Sequence, residues 1–136
     1  MEHSWTAQLL GRSVESIERW EALPCVVNLS GGYRIQVEAL WRLLEGGALV
    51  LTSQDDGQLF GRKNPVDAIA DLSQRLVGRS VESIDVASGT ADLTVGFGHN
   101  MLQVVSNSSG YEAWQVEGTQ STVAVGQGGG NVAVWG

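Results

Sequence analysis

The sequence predicts a β-rich α+β domain: two duplicated antiparallel β units, forming a sandwich or open barrel and joined by one amphipathic helix. Three observations carry this. Gly11-Arg12-Ser13-Val14-Glu15-Ser16-Ile17 returns letter for letter as Gly78-Arg79-Ser80-Val81-Glu82-Ser83-Ile84, a match far too long for chance in 136 residues. Short segments of alternating or continuous apolar residues recur between Gly, Asn and Ser turns, which is the pattern of strands. One stretch, residues 65–76, combines helix-start chemistry with a long apolar side.

The repeat extends beyond the heptapeptide. An offset of 67 pairs Gly31 with Gly98 and Ile35-Gln36-Val37 with Leu102-Gln103-Val104. Further on the offset is 73, pairing Trp41 with Trp114, Gln54 with Gln127 and Gly57 with Gly130. The six extra residues fall in or near Ser106-Asn107-Ser108-Ser109-Gly110, which has the composition of a loop tip. Residues 1–136 therefore read as a single domain of two repeats, about 8–62 and 75–136. A unit of that size is marginal alone, so two copies sharing one core is the more stable arrangement.

Taken in order, Trp5, Leu9 and Leu10 mark a short helix or lead-in before the first repeat. Arg12–Trp20 reads as a strand broken by Glu21-Ala22-Leu23-Pro24, and Cys25–Leu29 as the next. Ser30-Gly31-Gly32 supplies a hairpin turn, because glycine tolerates the positive φ that tight hairpins need. Tyr33–Val37 alternates strictly. Glu38–Glu45 is ambiguous alone, since Leu40, Trp41, Leu43 and Leu44 also suit one helical turn. Its aligned segment Glu112–Glu117 reads as a strand, so strand is expected for both. Gly46-Gly47 turns the chain into the apolar strand Ala48–Thr52, and Gln54-Asp55-Asp56-Gly57 turns it into Gln58-Leu59-Phe60. At Asn64-Pro65-Val66-Asp67, Asn64 is expected to cap, Pro65 to occupy the first turn and Asp67 to favour the positive end of the dipole. The second repeat predicts strands at 80–86, 91–95, 101–105, 113–117, 122–125 and 132–135.

Charge and composition narrow the function. Fifteen acidic against eight basic residues give a net charge of −7. That disfavours nucleic acid and anionic membranes, which select clustered Lys and Arg, and suits a basic protein partner. No apolar run approaches the ~18 residues of a membrane span. Met1-Glu2-His3-Ser4-Trp5 lacks a basic region followed by an apolar stretch, so no secretory signal is expected and the cytoplasm is the expected location. The single cysteine, Cys25, permits no disulfide within the chain.

Catalytic chemistry finds no support. His3 and His99 are the only histidines, and neither has a second ligand at metal spacing. Cys25 has no histidine beside it and reads as core. Asp55-Asp56 and the pair Glu112 and Glu117 are the carboxylates worth weighing for acid–base work. Asp55 and Asp56 align with Gly128 and Gly129, so they read as a hairpin tip. Gly126–Asn131 lacks the Lys-Ser/Thr ending of a phosphate loop and no helix follows it. No metal, cofactor or enzyme activity is expected. Of the five tryptophans, Trp41 and Trp114 occupy equivalent positions and read as core. Trp5 and Trp20, with no partner in the repeat, are the better candidates for an exposed anchor, although core packing is the favoured reading for both.

Leu10-Gly11-Arg12-x-Val14, its second occurrence Val77-Gly78-Arg79-x-Val81, and Tyr111-Glu112-Ala113-Trp114-Gln115-Val116-x-Gly118 resemble a family of small, uncharacterised bacterial proteins that are short, β-rich and cytosolic. The second repeat matches over most of its length, whereas Glu38-Ala39-Leu40-Trp41 keeps only the Trp of the Tyr-Glu-Ala-Trp strand. The resemblance implies no activity and no catalytic residues. More loosely, small acidic proteins of this kind are similar to immunity proteins that neutralise bacterial toxins.

The function expected from these features is non-enzymatic protein binding of the immunity type. Glu15, Glu18, Glu21, Glu38, Asp55 and Asp56 would steer a basic toxin domain, with Trp20 as an aromatic anchor. Two alternatives belong to other classes. One is a small-ligand binder with a Trp-lined cavity between the duplicated sheets. The other is a structural subunit that self-associates through an exposed edge strand such as 132–135.

Overall fold

A computed structural model describes residues 4–21 and 23–135. A short 3-10 helix (Ser4–Gln8) leads into β1 (Val14–Trp20), β2 (Leu23–Leu29), β3 (Tyr33–Val37), β4 (Leu40–Glu45) and β5 (Ala48–Thr52). Helix α1 (Ala68–Leu76) follows, then β6 (Ser83–Val86), β7 (Leu93–Phe97), β8 (Asn100–Val105), β9 (Trp114–Glu117), β10 (Thr122–Gly126) and β11 (Val132–Val134). The molecule is a β-rich α+β fold of two open antiparallel sheets, with no closed barrel. One sheet runs β1-β2-β3-β9-β10-β11 and the other β5-β4-β8-β7-β6.

This order is the duplication written in three dimensions. Strands β1 to β5 of the first repeat correspond to β6 to β10 of the second at the two sequence offsets. Exchanging the repeats turns β1-β2-β3-β9-β10 into β6-β7-β8-β4-β5, which is the order of the other sheet. Each repeat thus places three strands in one sheet and crosses over to give two to its partner sheet; β11 is the addition without a counterpart strand. The duplicated heptapeptides meet at the axis of this exchange. Gly11 N–H donates to Val81 O and Gly78 N–H to Val14 O, each at 2.8 Å. Val14 N–H donates to Arg79 O and Val81 N–H to Arg12 O, again at 2.8 Å. The Nε of Arg12 donates to Gln8 O and that of Arg79 to Arg75 O, so each arginine ties down the helix before it.

That last correspondence carries the repeat further back than residue 8. The 3-10 helix occupies the place of α1, and Leu9 and Leu76 are both fully buried. Trp5, 67 positions before Leu72, is 2% exposed and joins Trp41, Trp114 and Phe97 in one core cluster fed by both sheets. Trp5 is therefore a core residue, the favoured one of its two readings, and not an exposed anchor. The core itself follows strand alternation: Cys25, Val27, Leu29, Ile35, Val37, Val95 and Val116 point inward.

The helix starts later than its sequence signals suggest. Asp67, not Asn64, caps it, with the carboxylate accepting from Ala70 N–H at 3.1 Å. Val66 is held outside because its N–H donates to Gln58 O while Gly57 N–H donates to Val66 O. Residues 58–66 are thereby tied to the preceding turn before the helix can begin. Ala68, Ile69, Leu72 and Leu76 form the buried side, and α1 bridges the β1 edge of one sheet and the β5 edge of the other. Leu59 and Phe60 stand out at 51% and 67% exposure, Phe60 with φ of 48°.

Candidate functional site

The outer face of the six-stranded sheet carries two of the expected binding residues, Glu18 and Trp20. Pairing registers place Glu18, Val26, Gln36, Gln115, Val125 and Ala133 in one row across its strands. Ser16, Asn28, Arg34, Glu117 and Thr122 form the next. These rows are cross-linked. Asn28 Nδ2 donates to Ser16 Oγ and to Glu18 Oε2, while Thr122 Oγ1 donates to Glu117 Oε2 at 3.0 Å. Gln115 Nε2 also donates to Glu117. Trp20, 37% exposed, lies at the β1 end of this face, and the Arg34 guanidinium stands 5.1 Å from its ring centroid. Such a cation–π contact fixes an otherwise free indole and contributes on the order of 0.5–1 kcal/mol.

Glu15, Glu18 and Glu21 are exposed along or just beyond edge strand β1, and Glu38 is exposed just after β3. The Glu38 carboxyl is held above its usual range, by partial burial first and by the neighbouring Glu112 carboxylate second. Two further acids are engaged in local hydrogen bonds. Asp55 accepts from Thr52 N–H in a reciprocal capping box. Asp56 accepts from Ala68 N–H at 2.9 Å, and Arg19 bridges Asp56 and Asp67. The bond from Ala68 is the main reason the Asp56 carboxyl lies below the usual range, aided by Arg19 against a contrary effect of burial. Glu18 and Trp20 thus lie on edge strand β1, Glu21 and Glu38 are exposed just beyond β1 and β3, and Asp55 and Asp56 accept hydrogen bonds within the turn and at the helix start.

Sequence reading missed Arg34 and Glu117 as members of that face. The signal was present in the alternation of Tyr33–Val37, which puts Arg34 and Gln36 opposite Ile35, and in the repeat, which pairs β9 with β4. Sequence alone did not show that β3 and β9 are neighbours.

The other chemistry-bearing residues stand apart. Cys25 is fully buried and burial pushes its thiol up to about 12, against a smaller opposing pull from Arg19. The thiolate is the reactive form. Cys25 in the folded protein is accordingly expected to react with a disulfide reagent at pH 8 more than ~100-fold slower than in the urea-unfolded chain. Comparable rates would show that the β2 environment opens readily. His99 is exposed in the β7–β8 turn, and His3 lies outside the described residues. Among the described residues no group of three or more His, Cys, Asp or Glu side chains is arranged to hold a metal ion. Nor is any helix among them long and apolar enough to cross a membrane.

A concave feature borders the six-stranded sheet and shares Thr122 with its outer face. It is a cleft of about 280 Å³ where the 3-10 helix, the start of β3, the β9–β10 turn and Trp135 meet.

The chain belongs to the family of unknown function DUF6188, whose model matches residues 5–136. No curated protein and no solved structure matches it.

Proposed function

We propose that this DUF6188 member is a non-enzymatic binding module that uses the outer face of its six-stranded sheet to hold a basic protein partner. The supporting observation is an indole pinned by Arg34 on edge strand β1, with Glu18 exposed on the same strand and Glu21 and Glu38 exposed just beyond β1 and β3. A partly exposed tryptophan on a rigid strand loses little entropy on binding and brings a large contact area, the property of an interface anchor. Carboxylates around it raise the encounter rate of a basic surface and suppress acidic competitors. The net charge of −7 adds a long-range field of the same sign.

The finer reading is an immunity-type inhibitor, a cytoplasmic protein that neutralises a basic toxin domain by occupying it. What supports it is the small size and acidic charge of the chain.

The test compares the tagged protein with two variants, Trp20→Ala and Glu18→Lys combined with Glu38→Lys, in capture from host lysate at low and at high salt. The wild-type protein is expected to retain one stoichiometric basic protein in high salt. Trp20→Ala weakens that capture by tenfold or more, about 1.4 kcal/mol. The charge reversal slows association and flattens its salt dependence. A partner held equally by all three proteins, or an acidic partner, overturns the assignment.

A further inference from the structure

The two repeats build two equivalent corners, and only one of them is filled. At the first, α1, the β7–β8 turn and the β4–β5 turn converge. There Arg75 of α1 and Glu45 of β4 form an ion pair across the corner, and Gly46 N–H donates to His99 O at 2.9 Å. At the equivalent corner, the offsets of 67 and 73 put Gln8 where Arg75 would be and Gly118 where Glu45 would be. A long cation and a long anion give way to a shorter amide and a hydrogen atom. The result is the cleft of about 280 Å³.

The turn beside it differs in the same sense. The filled corner carries Gly46-Gly47-Ala48-Leu49, whereas the open one carries Thr119-Gln120-Ser121-Thr122, all of which line the cleft. Polar side chains are thus concentrated at the corner that holds the cleft.

We infer that this cleft is a binding site for a small neutral, hydroxyl-rich molecule of about the size of one sugar ring. The class follows from the lining. Hydroxyls and amides provide both donors and acceptors, which suits a ligand bearing alternating O–H groups. No lining residue is charged, so an ionic ligand loses hydration without gaining a counter-charge. Tyr33 and the 52% exposed Trp135 offer aromatic surface to the C–H face of a ring. The site is also preset. Tyr33 Oη donates to Gln8 Oε1 at 3.0 Å, and the Arg12 guanidinium lies 4.0 Å from the Tyr33 ring centroid. The volume, just below the ~300 Å³ lower range of small-molecule pockets, suits a single ring.

The duplication also supplies the blocking variant. Gln8→Arg with Gly118→Glu rebuilds at the open corner the pair that closes the other. A Cβ at Gly118 meets Val123 Cγ2 at 3.3 Å, an approach that needs only a few tenths of an ångström of give. The probes are D-glucose, D-galactose and N-acetyl-D-glucosamine, with acetate and free arginine as charged controls. They are followed by tryptophan fluorescence and by the amide shifts of residues 118–123. At least one neutral probe is expected to give saturable shifts confined to the cleft, at concentrations up to about 100 mM. The double variant, and independently Trp135→Ala with Thr122→Ala, weakens that binding about tenfold or more while leaving amide shifts of the opposite corner in place. Absence of saturable shifts with every neutral probe overturns the inference, as does tighter binding of a charged control or undiminished binding by a folded variant. Glu18, Trp20, Glu21 and Glu38 do not line the cleft, so either result leaves the protein-binding reading to its own test.

Discussion

Trp114→Ala is expected to lower the unfolding free energy by about 4 kcal/mol, the middle of the range for removing a fully buried aromatic side chain. Trp114 has no exposed surface, and its ring centroid lies 5.6 Å from that of Trp5. Two local effects add to the lost packing. The indole Nε1–H donates at 2.8 Å to the carbonyl of Ala91, a buried residue with a left-handed φ of 64°. Truncation leaves that carbonyl without its donor in the interior. The indole also lies over Gly126, where a Cβ would come within 2.3 Å of Nε1, so backbone and ring are fitted to one another and alanine leaves a void between strands. Trp20→Ala, by contrast, removes a part-exposed ring and one cation–π contact, and is expected to cost within about 1 kcal/mol. Urea unfolding followed by circular dichroism reads both. If the two variants have similar midpoints, Trp114 does not organise the core as described.

What the sequence made legible was equivalence; what it withheld was adjacency. The recurrence of Gly-Arg-Ser-Val-Glu-Ser-Ile established that two units share a fold, and it resolved Glu38–Glu45, whose leucines alone suit helix or strand. The residues observed there as β4 run Leu40–Glu45. Yet an offset says which residues correspond, not which ones touch. That β3 pairs with β9 and β4 with β8 depends on the crossover between sheets, set by closure of a common core rather than by any local pattern. The helix start was misplaced because Asn64-Pro65 offers the usual local signals, whereas the deciding bonds join Val66 to Gln58 and Gly57. Sequence leaves Trp5 open between core and anchor for a different reason. The offset of 67 runs back to Leu72 and Leu76, both buried, and would have assigned Trp5 and Leu9 to the core. The candidate site was legible as residue types on β1, but the selection among its acids was not. Asp55 and Asp56 stand in a turn by composition, and only the fold shows that their oxygens are occupied by Thr52, Ala68 and Arg19.

Joining the two repeats covalently at their axis is expected to stabilise the protein strongly. Ser13 and Ser80, the same position of the two heptapeptides, form an isolated antiparallel bridge. Their flanking bonds run from Val14 N–H to Arg79 O and from Val81 N–H to Arg12 O, which makes the serines a non-hydrogen-bonded pair. In such pairs the Cα atoms lie about 4.5 Å apart, within the span a disulfide tolerates. A Ser13→Cys, Ser80→Cys variant closes a loop of some 67 residues, for which chain entropy predicts about 4 kcal/mol. With allowance for strain, about 3 kcal/mol is expected, a rise on the order of 10 °C in Tm. Cys25 is fully buried, so it does not compete for the new thiols while the chain is folded. The comparison is internal: the oxidised variant against the same protein after reduction, which returns it to near the parent Tm. A bond that fails to form under mild oxidation, or that forms between molecules instead, would show that the heptapeptides are not partners. Formation with the expected rise places the axis of the duplication between Ser13 and Ser80. The two sheets would then be held together where their shared ancestry is most visible in the sequence.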